Sequence, residues 1–131
     1  MEKEELILYW TESSEQDFRA MKHLFEKGDY HWSLFIGHLV LEKLIKAYYV
    51  KQISENPPFI HDLLRLLEKT GMEISEERKD MLDTISGFNI NTRYNDYKQS
   101  FYKKCTKEFT EKWIRSIKEL RAWIKEQLSK R

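Results

Sequence analysis

The chain has 131 residues, 40% hydrophobic and 34% charged, with a formal net charge of +1, and fits one domain, 1–131, with a core that needs no metal or disulfide. Its lone Cys105 excludes an internal disulfide and a C-x-x-C site, and four Gly and two Pro are too few for an all-β domain. No apolar run reaches the ~18 residues of a membrane span and the first residues, Met1-Glu2-Lys3-Glu4-Glu5, are acidic and unlike a signal peptide, so the composition predicts a cytoplasmic protein.

Five segments carry a helical period. In the first, from about Glu4 to Lys27, Ile7, Trp10, Phe18, Met21 and Phe25 recur on one face, and Gly28-Asp29 ends it. The second, from about Tyr30 to Ile53, is apolar nearly all round, which predicts a central helix with Phe35 and Leu39 fully buried. Ser54-Glu55-Asn56-Pro57-Pro58 breaks it, because proline lacks a donor and pushes the preceding residue out of the helical region.

A short third helix is predicted from about His61 to Thr70, with Leu63, Leu64, Leu66 and Leu67, stopped by Gly71. Ser75, followed by acidic residues, reads as the N-cap of a fourth helix running through Met81, Leu82 and Ile85 to about Phe88. The Asn-rich stretch from Asn89 to Tyr97 has no sustained period and reads as a loop or frayed helix. The fifth helix, from near Thr106 to about Ser129, carries Phe109, Trp113, Ile117, Leu120, Ile124 and Leu128 as a regular stripe. The sum is an all-α, up-and-down bundle of about five helices.

Charge is unevenly spread. Residues 103–131 hold ten Lys/Arg and four Glu, whereas residues 1–102 hold thirteen basic and eighteen acidic side chains. Such asymmetry suits a nucleic-acid or phosphate-binding face; equally, it suits a basic last helix lying beside an acidic first one.

Two groups of residues have the chemistry for a site. His38, Glu42 and Lys46 recur every fourth residue and stack on one face of the second helix, either lining a cleft or forming a charge-paired, solvated edge. Arg93 sits among aromatic residues (Tyr94, Tyr97, Phe101, Tyr102), where a guanidinium can bind phosphate while rings stack on bases; the alternative pairs Arg93 with Glu42 or Asp96. His61-Asp62 reads as a structural start to the third helix, and His23 and His31 have no partner visible in sequence. The phosphate-binding G-x-x-x-x-G-K-[ST], G-x-G-x-x-G and H-E-x-x-H patterns are absent, and no metal site is predicted.

In order, these segments resemble the HEPN family, the higher-eukaryote and prokaryote nucleotide-binding domains. Trp10, Asp17-Phe18-x-x-Met21 and Gly28-Asp29-Tyr30 are followed by His38-Leu39-Val40-Leu41-Glu42-Lys43-Leu44-Ile45-Lys46-Ala47, which is similar to the family's H-L-x-x-E-K-x-x-K-A helix. Pro57-Pro58-x-x-His61-Asp62-Leu63-x-x-Leu66, then Arg93-Tyr94, then Trp123-Ile124 continue the likeness. The resemblance implies a homodimer with the loop arginines near its groove. It also implies a partnership with a separately encoded minimal nucleotidyltransferase, often as a toxin–antitoxin pair, and binding of a nucleotide or RNA. Other members are metal-independent ribonucleases or non-catalytic interaction modules.

The ribonuclease subset carries a His separated from its Arg by four to six intervening residues, and here those positions hold Lys98, Gln99 and Ser100. The sequence therefore points to binding, without cofactor and with no catalytic residue assigned. Candidate binding residues are Arg93, Tyr94, Glu42, His38 and Lys46, with Arg93 expected on the Glu42 side of the second helix and Tyr94 packed beneath it.

Overall fold

The computed structural model describes residues 2–130 and contains six helices: α1 (Lys3–Glu26), α2 (Tyr30–Gln52), α3 (Leu63–Glu68), α4 (Glu76–Arg93), α5 (Ser100–Lys104) and α6 (Lys107–Ser129). This is the all-α bundle expected, with one additional short helix, α5. Among the described residues there is no strand, and no helix is long and apolar enough to cross a membrane.

The organising element is α2. It packs against α1, α3, α4, α5 and α6, so its apolar surface is covered from several directions. Leu34, Val40, Leu41, Leu44 and Ile45 lie in the core with Met21 of α1, Leu66 of α3, Ile85 of α4 and Ile117 of α6. The predicted burial of Phe35 and Leu39 is corrected: both are only half-buried, one turn apart on the part of α2 that its neighbours leave open. An all-round apolar helix gives no period from which to pick its innermost line, so the sequence could not distinguish Leu39 from Leu41.

Side-chain hydrogen bonds to backbone fasten α1 to α2. Ser14 donates its hydroxyl to the Val40 carbonyl at 2.7 Å, and Ser33 donates to the Met21 carbonyl at 2.8 Å, both buried. The α1–α2 turn is made by Gly28, whose φ of 83° lies in the left-handed region that suits glycine. On α2 itself, a side chain at Gly37 would meet Ile117 Cδ1 at 2.5 Å and Met21 Sδ at 3.1 Å, so the glycine permits the close approach of α6.

The basic last helix does lie alongside the acidic first one. Arg121 of α6 donates to Glu15 of α1 at 2.5 Å and covers the Phe18 ring, its guanidinium carbon 3.8 Å from the centroid. That hydrogen bond holds the Glu15 carboxyl below its ordinary range despite partial burial.

Two boundaries differ from the sequence reading. α3 begins at Leu63 with Asp62 as its N-cap, the Asp62 carboxylate accepting the Arg65 amide at 3.1 Å, so His61 stands just outside the helix. α4 continues through the Asn-rich stretch to Arg93. Asn89 and Thr92 are buried there, and Thr92 donates to the His31 carbonyl at 3.2 Å, so tertiary contacts hold a helix that local propensity disfavours. The chain then turns at Asp96, whose carboxylate accepts the Ser100 amide at 2.8 Å and the Ser100 hydroxyl at 2.7 Å.

A candidate phosphate cleft

Beside α2, the start of α3 and the end of α4 border a cleft of about 350 Å³ lined by His61, Asp62, Ser86, Gly87, Asn89, Ile90 and Arg93. Behind it, the three-residue row on α2 holds His61 in place. The Glu42 carboxylate, 6% exposed, accepts the Lys46 ammonium at 3.1 Å through one oxygen and His61 Nδ1–H at 2.8 Å through the other. Burial opposes ionisation of Glu42, but the His61 and Lys46 hydrogen bonds and the Lys46 charge outweigh it and hold the carboxyl below its ordinary range.

Burial instead pushes the His38 imidazole below its ordinary range, against the opposing hydrogen bond to the His61 carbonyl and the Glu42 charge. The ring is thus neutral, and its Nε2–H donates to the His61 carbonyl at 2.8 Å. His38 Nε2 also lies 3.8 Å from Glu42, too far for a hydrogen bond, and a neutral ring makes no ion pair. Lys46 completes the row with its ammonium 5.2 Å from the Trp10 ring centroid.

Glu42, His38 and Lys46 are therefore neither a solvated edge nor the lining of the cleft. All three are buried, and two of them fix His61, which α2 grips through both its backbone and its side chain. His61 itself is 60% exposed. Its Nδ1–H is given to Glu42, and no protein group among the described residues pairs with its Nε2.

Arg93, the last residue of α4, is exposed on the opposite side of the cleft. Its Nε–H donates to the Asn89 carbonyl at 3.3 Å. Its guanidinium carbon lies 5.9 Å from the Phe35 ring centroid on α2 and 5.2 Å from that of Tyr94. No carboxylate pairs with it among the described residues: Glu42 is engaged by His61 and Lys46, and Asp96 by Ser100. Tyr94 does not pack beneath Arg93 as expected. It is 70% exposed, and its ring flanks the guanidinium from solvent while Phe35 supplies the inner face.

A family model described as the HEPN domain matches residues 7–127. The chain belongs to the HEPN family. Membership implies a nucleotide- or RNA-related function. No curated protein and no solved structure matches the chain. Among the described residues, no group of three or more His, Cys, Asp or Glu side chains is arranged to hold a metal ion.

Sequence reasoning passed over two residues of this HEPN cleft. His61 read as structural because its partner lies nineteen residues away on another helix; the only local sign was a histidine placed just after a Pro-Pro break. Asn89 read as loop, yet it is buried, lines the cleft, and its Oδ1 has no hydrogen-bond donor among the described residues.

Proposed function

We infer that this HEPN domain binds a nucleotide or RNA through its phosphate, acting as a homodimer with a minimal nucleotidyltransferase partner in a toxin–antitoxin-like module. The observation that carries the binding site is Arg93: an exposed guanidinium, flanked by two aromatic rings and bordering a cleft, that no carboxylate neutralises. Such a group retains its planar donors for phosphate oxygens, and Lys98, Lys103 and Lys104 add positive charge nearby. Tyr94 and Tyr97, 70% and 90% exposed, supply rings on which bases can stack. The homodimer draws support from apolar surface that the single chain leaves uncovered: Leu8, Tyr9 and Trp32 are exposed, and Phe35 and Leu39 half-exposed. The nucleotidyltransferase partnership rests on the family resemblance.

The test is binding of labelled single-stranded RNA to the purified protein by fluorescence anisotropy, across a salt series. The expected result is weak, salt-sensitive binding that Arg93→Ala reduces at least ten-fold, roughly the size of a lost charge-assisted contact. An unaltered isotherm for Arg93→Ala would remove the phosphate site. Metal-independent cleavage of that RNA, abolished by Arg93→Ala, would replace binding with a ribonuclease reading.

A further inference from the structure

The contact of Arg121 with Glu15 engages only part of the basic charge near the C-terminus. Much of the rest gathers where α5 meets α6: residues 98–112 hold five lysines against two glutamates. Here α4, α5 and α6 border an aromatic cleft of about 500 Å³, large enough for a nucleobase with its sugar. Phe101, Phe109 and Trp113 line it, all half-buried, and the buried Phe88 ring lies 5.6 Å from those of Phe101 and Trp113. Lys104 and Lys112 line it too, their ammonium groups 5.5 Å and 5.3 Å from the ring centroids of Phe109 and Trp113. Both lysines are exposed, and neither pairs with a carboxylate among the described residues. A smaller cleft of about 270 Å³ adjoins, sharing Asn91, Phe101 and Lys104, and reaches Tyr94, whose ring flanks the Arg93 guanidinium. The two clefts thus form one path from Arg93 to Trp113. Asp96 borders the smaller cleft with its carboxylate engaged by Ser100. Asp83 borders the larger one from α4, within electrostatic reach of Asp62, Asp80 and Glu68. The α4 border is therefore acidic and the α5–α6 border basic, and an anionic backbone keeps to the latter.

We propose that the ligand is a single strand of RNA several nucleotides long, which leaves Arg93 past Tyr94, crosses Lys104 and stacks a base in the Phe109–Trp113 cleft. The inference rests on the phosphate-binding reading and adds to it a second site and a ligand class: an unpaired strand over a free mononucleotide. Rings with cations between them suit such a strand, because every base has a π-face and phosphates recur between the bases. A mononucleotide has one base and cannot occupy the Tyr94 ring and the Trp113 cleft together. Lys104 and Lys112 can move from ring to phosphate without breaking an ion pair. The lining residues are also separate from the apolar residues of α1 and α2 that support the homodimer.

The experiment measures binding of three labelled probes to the full chain by fluorescence anisotropy at low salt. They are an adenylate dinucleotide, an adenylate octanucleotide, and an octanucleotide with an abasic ribose in place of every base. The wild-type protein is expected to bind the octanucleotide more than about ten-fold tighter than the dinucleotide, beyond what the extra registers of a longer strand supply. Trp113→Leu should remove about ten-fold of octanucleotide affinity, the size of one base–aromatic stack, and leave the dinucleotide and the abasic strand unchanged. Because Trp113 also packs on Phe88, thermal melts check that variant, and Lys112→Gln, at an exposed position, gives an independent reading. Lys112→Gln should lower the slope of log affinity against log salt by about one for both long strands but not for the dinucleotide. Lys118→Gln, on the α1 side of α6, should change nothing, and Arg93→Ala should weaken all three probes. Octanucleotide affinity and salt slope unmoved in both Trp113→Leu and Lys112→Gln would overturn the proposal. So would a loss in Trp113→Leu that the abasic strand shares, or an equal effect from Lys118→Gln. Equal wild-type affinity for dinucleotide and octanucleotide would also overturn it, leaving a nucleotide-sized ligand on Arg93 alone. Absence of binding to every probe would instead defeat the phosphate-binding reading, and this path with it.

Discussion

The carboxylate of Glu42, in the middle of α2, holds the imidazole of His61, just ahead of α3, at 2.8 Å. Through this bond a buried charge determines the tautomer and direction of an exposed ring. Lys46 balances the same charge from one helical turn away, so the grip on His61 and the electrostatic health of the core depend on one residue.

Glu42→Leu is therefore expected to destabilise the fold by about 3–5 kcal/mol, because it strands the Lys46 ammonium in a buried site. The double variant Glu42→Leu, Lys46→Met should recover much of that loss, since two apolar groups replace two charges. Denaturant titration of the two single variants and the double variant closes the cycle. Additive losses would show that the two charges do not interact.

A pH dependence follows from His38. Burial lowers its folded-state value, so below the ordinary value of 6.5 the unfolded chain binds a proton that the folded chain resists. Stability from this residue is complete above that value and is lost as pH falls through it towards the folded-state value. Burial shifts His31 in the same direction, and Glu42 adds a loss at more acidic pH, below its ordinary 4.5. Melting temperature should drop between about pH 7 and pH 5. His38→Gln, which can still donate to the His61 carbonyl, should flatten that drop; identical profiles would mean that the folded protein binds the proton.

The register of α2 is tested by neighbouring leucines. Leu41 is fully buried, and Leu41→Ala should cost about 2–5 kcal/mol through lost transfer energy and the cavity left behind. Half-buried Leu39 should cost less than half as much when truncated in the monomer. Equal denaturation midpoints for the two variants would place the inner face of α2 elsewhere.

Assembly is read most directly by light scattering. At tens of micromolar, an order-of-magnitude concentration for a modest interface, a dimer mass is expected. A monomer mass would remove the homodimer from the proposed function.

Much of this architecture was legible in the sequence because α1, α2 and α6 are long and periodic or strongly apolar. The four-residue recurrence of His38, Glu42 and Lys46 likewise required only the pitch of a helix. What escaped was tertiary. Nothing local to His61 shows that Glu42 will bond its ring, or that His38 will bond its carbonyl. The helical state of Asn89 to Arg93 depends on Asn89 and Thr92 being buried against other elements, which overrides their weak preference for helix. Phe35 and Leu39 were misread for the opposite reason: on a helix apolar all round, composition alone does not say which side remains uncovered.

The two serine hydroxyls that tie α1 to α2 have a kinetic consequence. Ser14 and Ser33 join the helices at two well-separated levels, so neither helix separates from the other without exposing both bonds and the buried Met21 side chain. Local fraying is then confined to the outer turns of the pair. Amide protons on the inner turns, around Phe18 and Leu41, are expected to exchange with deuterium only when the whole molecule unfolds, whereas those near Asn95 and Tyr97 exchange from the native state. Ser14→Ala should add a sub-global opening through which the middle of α1 exchanges faster while the middle of α6 does not.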